Sequence, residues 1–126
     1  MKNKKILVVE DDVDAGDALV EVLADAGFDA RVAHDGNAAC AAAVAFVPDV
    51  VLLDIGLPDM SGYSVACLLR ERVPGLWIIA ITGHCQHKDL LRSRGAGVDV
   101  HLAKPVGLPQ LLSLLEGLRE RSATRD

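Results

Sequence analysis

Aromatic side chains are almost missing from this 126-residue chain: Phe, Tyr and Trp together make up 3%. A core must therefore be built from aliphatic residues, and with hydrophobic residues at 51% there are enough of them. Cysteine is scarce and unpaired. Cys40, Cys67 and Cys85 form no C-x-x-C pair, which argues against a disulfide frame or a zinc site. Cys40 and Cys67 fall inside helical patterns and read as small core residues. There is no long apolar run: after the basic start Met1-Lys2-Asn3-Lys4-Lys5, the first such run is only Ile6-Leu7-Val8-Val9. That is too short for a signal peptide or a membrane span, so the expectation is a cytoplasmic protein with no membrane partner. Basic clusters with interleaved aromatics are missing too, and the formal net charge is −5, which argues against direct nucleic-acid binding.

What is present is alternation. Three apolar runs read as buried strands, residues 6–9, 50–53 and 77–81, and residues 100–103 read as a further strand. Residues 28–33 read as a short, weaker strand. Between them lie helical patterns. The first carries Ala15, Leu19, Val22, Leu23 and Ala26 on one face, with Gly27 at the C-terminal cap. The second, residues 37–46, is Ala-rich and closed by Pro48-Asp49. The third carries Val65, Leu68 and Leu69 behind an N-cap at Ser61. A short polar helix is expected at 88–94. The last carries Leu108, Leu111, Leu112, Leu115 and Leu118 on one face, with Leu114 off it, ahead of a frayed tail at 122–126. Five strand–helix units imply a parallel sheet covered on both sides and one domain over residues 1–126, with its core at 4–121.

In a parallel sheet all carboxyl ends share one edge. The first strand ends at Glu10-Asp11-Asp12, the third at Asp54, the fourth at Thr82 and the fifth at Lys104. Each residue alone has an ordinary explanation as a turn, cap or surface charge, and Asp12 reads as a helix cap. Their convergence is informative. Crowded carboxylates repel unless a cation intervenes. Lys104 supplies one charge, and an oxygen-rich site without thiol or imidazole suits a hard divalent ion, best Mg²⁺ with Mn²⁺ as a substitute. A carboxylate kept ionised in that way can attack phosphorus.

With these motifs the chain resembles a receiver domain of a two-component response regulator or hybrid histidine kinase. The resemblance rests on Ile6 to Asp11, Asp54 with Pro58-Asp59-Met60-Ser61-Gly62 behind it, Thr82-Gly83 and Lys104-Pro105. It implies an α/β, flavodoxin-like (CheY-like), doubly wound five-stranded sheet in the order 2-1-3-4-5, with five helices. It implies a phosphoacceptor signalling domain and not an enzyme. Asp54 would take a phosphoryl group from the phosphohistidine of a histidine kinase or phosphotransfer protein. Asp11, Asp54 and the Gly56 carbonyl would ligate Mg²⁺, with Glu10 acting through water. Thr82 and Lys104 would grip the phosphoryl group across a cis Lys104–Pro105 bond. Thr82 and His101 would be the switch residues, shifting the surface around the fifth strand and its flanking helices toward an effector protein, an output domain or a phosphorylation-dependent dimer.

Two positions depart from the commoner receiver pattern. His101 stands where an aromatic is usual. Gly56 stands two residues after Asp54 and has no side chain to orient a hydrolytic water, which implies slow self-dephosphorylation unless His84 helps. His34 and His87 read as solvent-facing. Other functions fit less well. A haloacid-dehalogenase-type phosphohydrolase needs an acid where Gly56 stands, and a nucleotide or flavin module needs a Gly-rich loop where Glu10-Asp11-Asp12 would repel phosphate. The alternative that remains is a vestigial receiver acting as a phosphorylation-independent scaffold. The sequence names neither kinase nor target.

Overall fold

The computed structural model describes residues 4–83 and 95–121. Five parallel strands form one sheet: β1 (Lys5–Val9), β2 (Asp29–Ala33), β3 (Val50–Asp54), β4 (Trp77–Thr82) and β5 (Val100–Ala103), in the order β2-β1-β3-β4-β5. Among the described residues the helices are α1 (Val13–Asp25), α2 (Gly36–Phe46), α3 (Gly62–Arg72) and α4 (Leu108–Arg121). The polar helix expected at 88–94 lies outside the described residues, as do His84, Cys85, His87 and the tail.

The apolar runs are continuous because both faces of the central strands are covered. Leu7, Val9, Val51, Leu53 and Ile78 join the layer that packs with α2 and α3. Ile6, Val8, Val50, Leu52 and Ile79 join the layer that packs with α1 and α4. The outer strands β2 and β5 are less buried; among the described residues each pairs with a strand on one side only.

Local signals account for most helix ends. Asp12 caps α1, its Oδ1 accepting from Ala15 N at 3.1 Å. Ser61 caps α3, accepting from Tyr63 N at 3.2 Å. Gly27 follows α1 with φ of 96°, a left-handed turn open to glycine. The end of α2 is different: Val47, β-branched, takes the left-handed conformation at φ 49°.

Some expectations need correcting. Cys67 is exposed and Cys40 only half-buried, so neither is a core residue. Ala-rich α2 has Asn37 as its one polar side chain, so periodicity could not say which way Cys40 points. Leu108 is 43% exposed because it opens α4, one turn before the helix meets the sheet at Leu111. Leu114 is half-buried and packs against the core beside Leu111 and Leu115.

Candidate functional site

Strand register assembles the site. Val9 pairs with Leu53, Asp54 with Ile81 and Thr82 with Ala103. The ladder runs one step beyond the strands: Glu10 N donates to Ala33 O at 3.0 Å, Ile55 N to Ile81 O at 3.1 Å and Lys104 N to Thr82 O at 2.7 Å. These bonds fix the backbone from which the polar side chains leave the carboxyl edge. The Lys104–Pro105 peptide is cis.

At the centre is Asp54, 9% exposed. Its Oδ2 accepts from Lys104 Nζ at 3.2 Å and its Oδ1 from Gly56 N at 3.0 Å. Carboxylate oxygens of Glu10, Asp11 and Asp54 lie within 4.8 Å of one another. Thr82 is half-buried at the end of β4. His101 is half-buried in β5 opposite Ala80, with Nε2 turned away from solvent. The structure thus brings Glu10, Asp11, Asp54 and Lys104 together, with Gly56 and Thr82 on the flanking backbone.

The electrostatics are those of a crowded acidic cluster. Burial first, then hydrogen bonding with Asp54 and its charge, push the Glu10 carboxyl up to about 7. Burial also opposes ionisation of Asp54, but hydrogen bonding with Glu10, the Gly56 amide and Lys104 outweighs it and holds Asp54 below the usual carboxylate range. Burial works against the Lys104 cation, and Asp54 overcomes it and raises the ammonium. Full ionisation of Glu10 beside Asp54 is thus disfavoured, and the clustered carboxylate oxygens could instead face a cation. The donor set is all oxygen, which fits a hard divalent ion.

A cavity of about 620 Å³ opens beside Lys104, lined chiefly by Leu19, Ile81, Val106, Leu108 and Leu111. Three features were not legible in sequence. His34 is half-buried rather than solvent-facing, with Nδ1 2.9 Å from Glu10 O. Asp59 accepts from Gly36 N at 2.8 Å and Asn37 N at 3.1 Å, tying the loop after Asp54 to α2. Arg70 and Asp99 form an ion pair at 2.7 Å. All three partnerships span more than twenty residues, so no local signal marks them.

Residues 6–116 match the family model of the response regulator receiver domain. The probable transcriptional regulatory protein TcrX of Mycobacterium tuberculosis is 35% identical over 117 residues, covering 93% of this chain and 50% of its own. The chain thus spans about half the length of the curated relatives it matches. Among solved structures, a CheY-like response regulator receiver domain protein from Methanospirillum hungatei superposes with a TM-score of 0.86 at 28% identity, covering 98% of this chain and 97% of its own. A response regulator from Burkholderia pseudomallei, solved with a phosphorylated aspartic acid, calcium ion and citrate, gives 0.83 at 26% identity, covering 97% and 70%. By sequence and by fold, the chain belongs to the response regulator receiver domain family.

Proposed function

We propose that this chain is the phosphoacceptor of a two-component relay, with Asp54 as the acceptor. The observation that carries this reading is the nearly buried carboxylate of Asp54, in contact with Lys104 and clustered with two further acids. In the transfer, the P–N bond of a donor phosphohistidine breaks and a P–O bond to Asp54 forms. The imidazole leaves with the electron pair of the broken bond and takes up a proton. The reaction has little covalent demand beyond placement and charge.

Asp11, Asp54 and the Gly56 carbonyl would hold Mg²⁺, with Glu10 acting through water; Mn²⁺ would substitute. The ion would supply positive charge to the phosphoryl oxygens. Lys104 keeps Asp54 ionised and pairs with the same oxygens once they are attached. The Thr82 hydroxyl donates to them, and His101 moves with Thr82 as the switch pair. The cavity beside Lys104 offers apolar contact area to a donor approaching Asp54. The Burkholderia protein's phosphorylated aspartate and calcium ion support this assignment.

Residues 1–126 act as one receiver in the cytoplasm, and among the described residues no helix is long and apolar enough to cross a membrane. The direct partners are a histidine kinase or phosphotransfer protein and an effector protein or domain, with dimerisation on phosphorylation as one output. The net charge of −5 supports protein rather than nucleic acid as the partner of this domain.

The test is labelling with a small phosphodonor such as acetyl phosphate, with and without Mg²⁺. Wild type takes up the label only with the ion, and Asp54→Ala takes up none. A variant lacking Asp54 that labels equally well, or a wild type that stays unlabelled with Mg²⁺, would overturn the assignment.

A further inference from the structure

The loop from Ile55 to Ser61 has to hold Gly56, which has no side chain to anchor it. The loop's two ends are pinned by backbone bonds, Ile55 N to Ile81 O and Gly62 N to Ile55 O, each 3.1 Å. Its middle is pinned by Asp59, whose two oxygens accept from Gly36 N at 2.8 Å and Asn37 N at 3.1 Å. Gly36 and Met60 are in direct contact: a Cβ at position 36 would sit 2.4 Å from Met60 Cγ. The loop and the start of α2 therefore form one packed unit.

Capping alone does not explain Asp59. Helix α2 already has its own N-cap, Asp35, whose Oδ1 accepts from Ala38 N at 2.7 Å. The amide of Asn37 is exposed and water could serve it. What Asp59 adds is a bridge across twenty-two and twenty-three residues of sequence. The Gly36 amide, foremost, holds its carboxyl below the usual range, so the bridge is anionic at neutral pH.

We propose that Asp59 is a positioning residue for the acceptor site: by clamping its loop to the start of α2, it sets the backbone at Gly56 and so the affinity of the acidic cluster for a divalent cation. This rests on the proposed acceptor reading, in which the Gly56 carbonyl is a ligand. Residues that orient ligands from one step away typically change metal affinity by tenfold or more when removed.

The experiment compares Asp59→Ala, Asp59→Asn and Asp35→Ala with wild type, using Mg²⁺ alone in calorimetry and amide exchange of Gly56 without metal. Asp59→Ala should weaken Mg²⁺ by roughly tenfold and speed Gly56 exchange. Asp59→Asn keeps an acceptor oxygen and should recover most of both, which separates the clamp from simple loss of charge. Asp35→Ala loses a cap and a nearby charge; it should lower thermal stability and leave Mg²⁺ affinity within about twofold. If Asp59→Ala lowers stability as Asp35→Ala does, with Mg²⁺ affinity and Gly56 exchange unchanged, the inference is wrong. Equal losses in Asp59→Asn and Asp59→Ala would also overturn it. Failure of the acceptor reading shows separately, as wild type that binds no Mg²⁺ or takes no label; the exchange comparison needs no metal and still decides the clamp.

Discussion

Lys104 Nζ lies 3.2 Å from Asp54 Oδ2, although fifty residues separate them in sequence. Asp54 is nearly buried while the lysine side chain is 45% exposed, so the ammonium reaches in from solvent to a fixed anion. The pair's contribution to folding is small at that exposure. Its consequence is chemical. Lys104→Met removes the cation that faces Asp54 and, on the proposed reading, the incoming phosphoryl oxygens. Labelling by acetyl phosphate should slow by about a hundredfold, on the scale of losing one charge-stabilising donor. Thermal stability should change little, and a melting scan beside the labelling assay separates the two.

The cluster also predicts a pH dependence. The Glu10 carboxyl is raised from 4.5 to about 7, so it favours the folded state while protonated. That contribution is present in full below about 4.5 and is lost as pH rises through 7. Without metal, Glu10→Gln should therefore be more stable than wild type at pH 8 and not at pH 4. A cation needs the ionised form. Mg²⁺ binding should tighten between pH 5 and 8, and at pH 6 it should release a proton, visible in calorimetry as a heat that depends on the buffer. Binding in wild type that is flat across this range would contradict the coupling.

With Asp54 as the proposed acceptor, Gly56 would bear on the lifetime of the phosphorylated form. It is exposed, and a Cβ built there would lie 3.7 Å from Asp54 Oδ1, ordinary contact distance. A side chain therefore fits, directly beside Asp54. Gly56→Asn would place an amide where it can orient an attacking water, and should hasten decay of the phosphorylated form by up to about a hundredfold, the low end for a group positioned on a transferring proton. Decay of label from purified protein measures it, and an unchanged rate would sink the idea that the missing side chain slows hydrolysis.

Much of this site could be read in advance because its logic is topological. Buried runs such as Val50-Val51-Leu52-Leu53 declare parallel strands, and parallel strands bring Glu10, Asp54, Thr82 and Lys104 to one edge. Caps at Asp12 and Ser61 are local and were legible for the same reason. The rest depended on tertiary partners. His34 looked like a surface residue until the fold placed it beside a carbonyl twenty-four residues away. The direction of Cys40 was hidden by a helix with no polar face. Asp59 belonged to the motif behind Asp54, but its bonds were hidden because the amides it accepts from belong to another element.

Val47 offers a stability test away from the chemistry. A β-branched residue at φ 49° and ψ 66° carries a steric cost, and its side chain is 55% exposed, so burial returns little. Asn tolerates that conformation. Val47→Asn should stabilise the fold by about 1 kcal/mol, the scale of the left-handed penalty for ordinary residues. For a domain of this size that is about 4 °C in Tm. Labelling at Asp54 should not change.

The opposite end of the sheet carries its own polar joint. Arg70 on α3 donates from Nη1 to Pro74 O at 3.1 Å and also to Leu76 O, and from Nη2 to Gly97 O and Asp99 Oδ2, each at 2.7 Å. Asp99 Oδ2 also accepts from Ile78 N at 2.8 Å. One guanidinium thus joins α3, the entry to β4 and the approach to β5, and only a planar multi-donor group can satisfy that set. Arg70→Met would leave carbonyls and a carboxylate without their donor, and should cost about 2 kcal/mol. Arg70→Lys, with a single ammonium, should recover less than half of it. Because the joint lies at the amino ends of β4 and β5, the labelled fraction of folded protein should match wild type. Urea unfolding with parallel acetyl phosphate labelling decides it: a variant equally stable, or one that loses labelling while folded, would show that Arg70 does something other than hold these elements together.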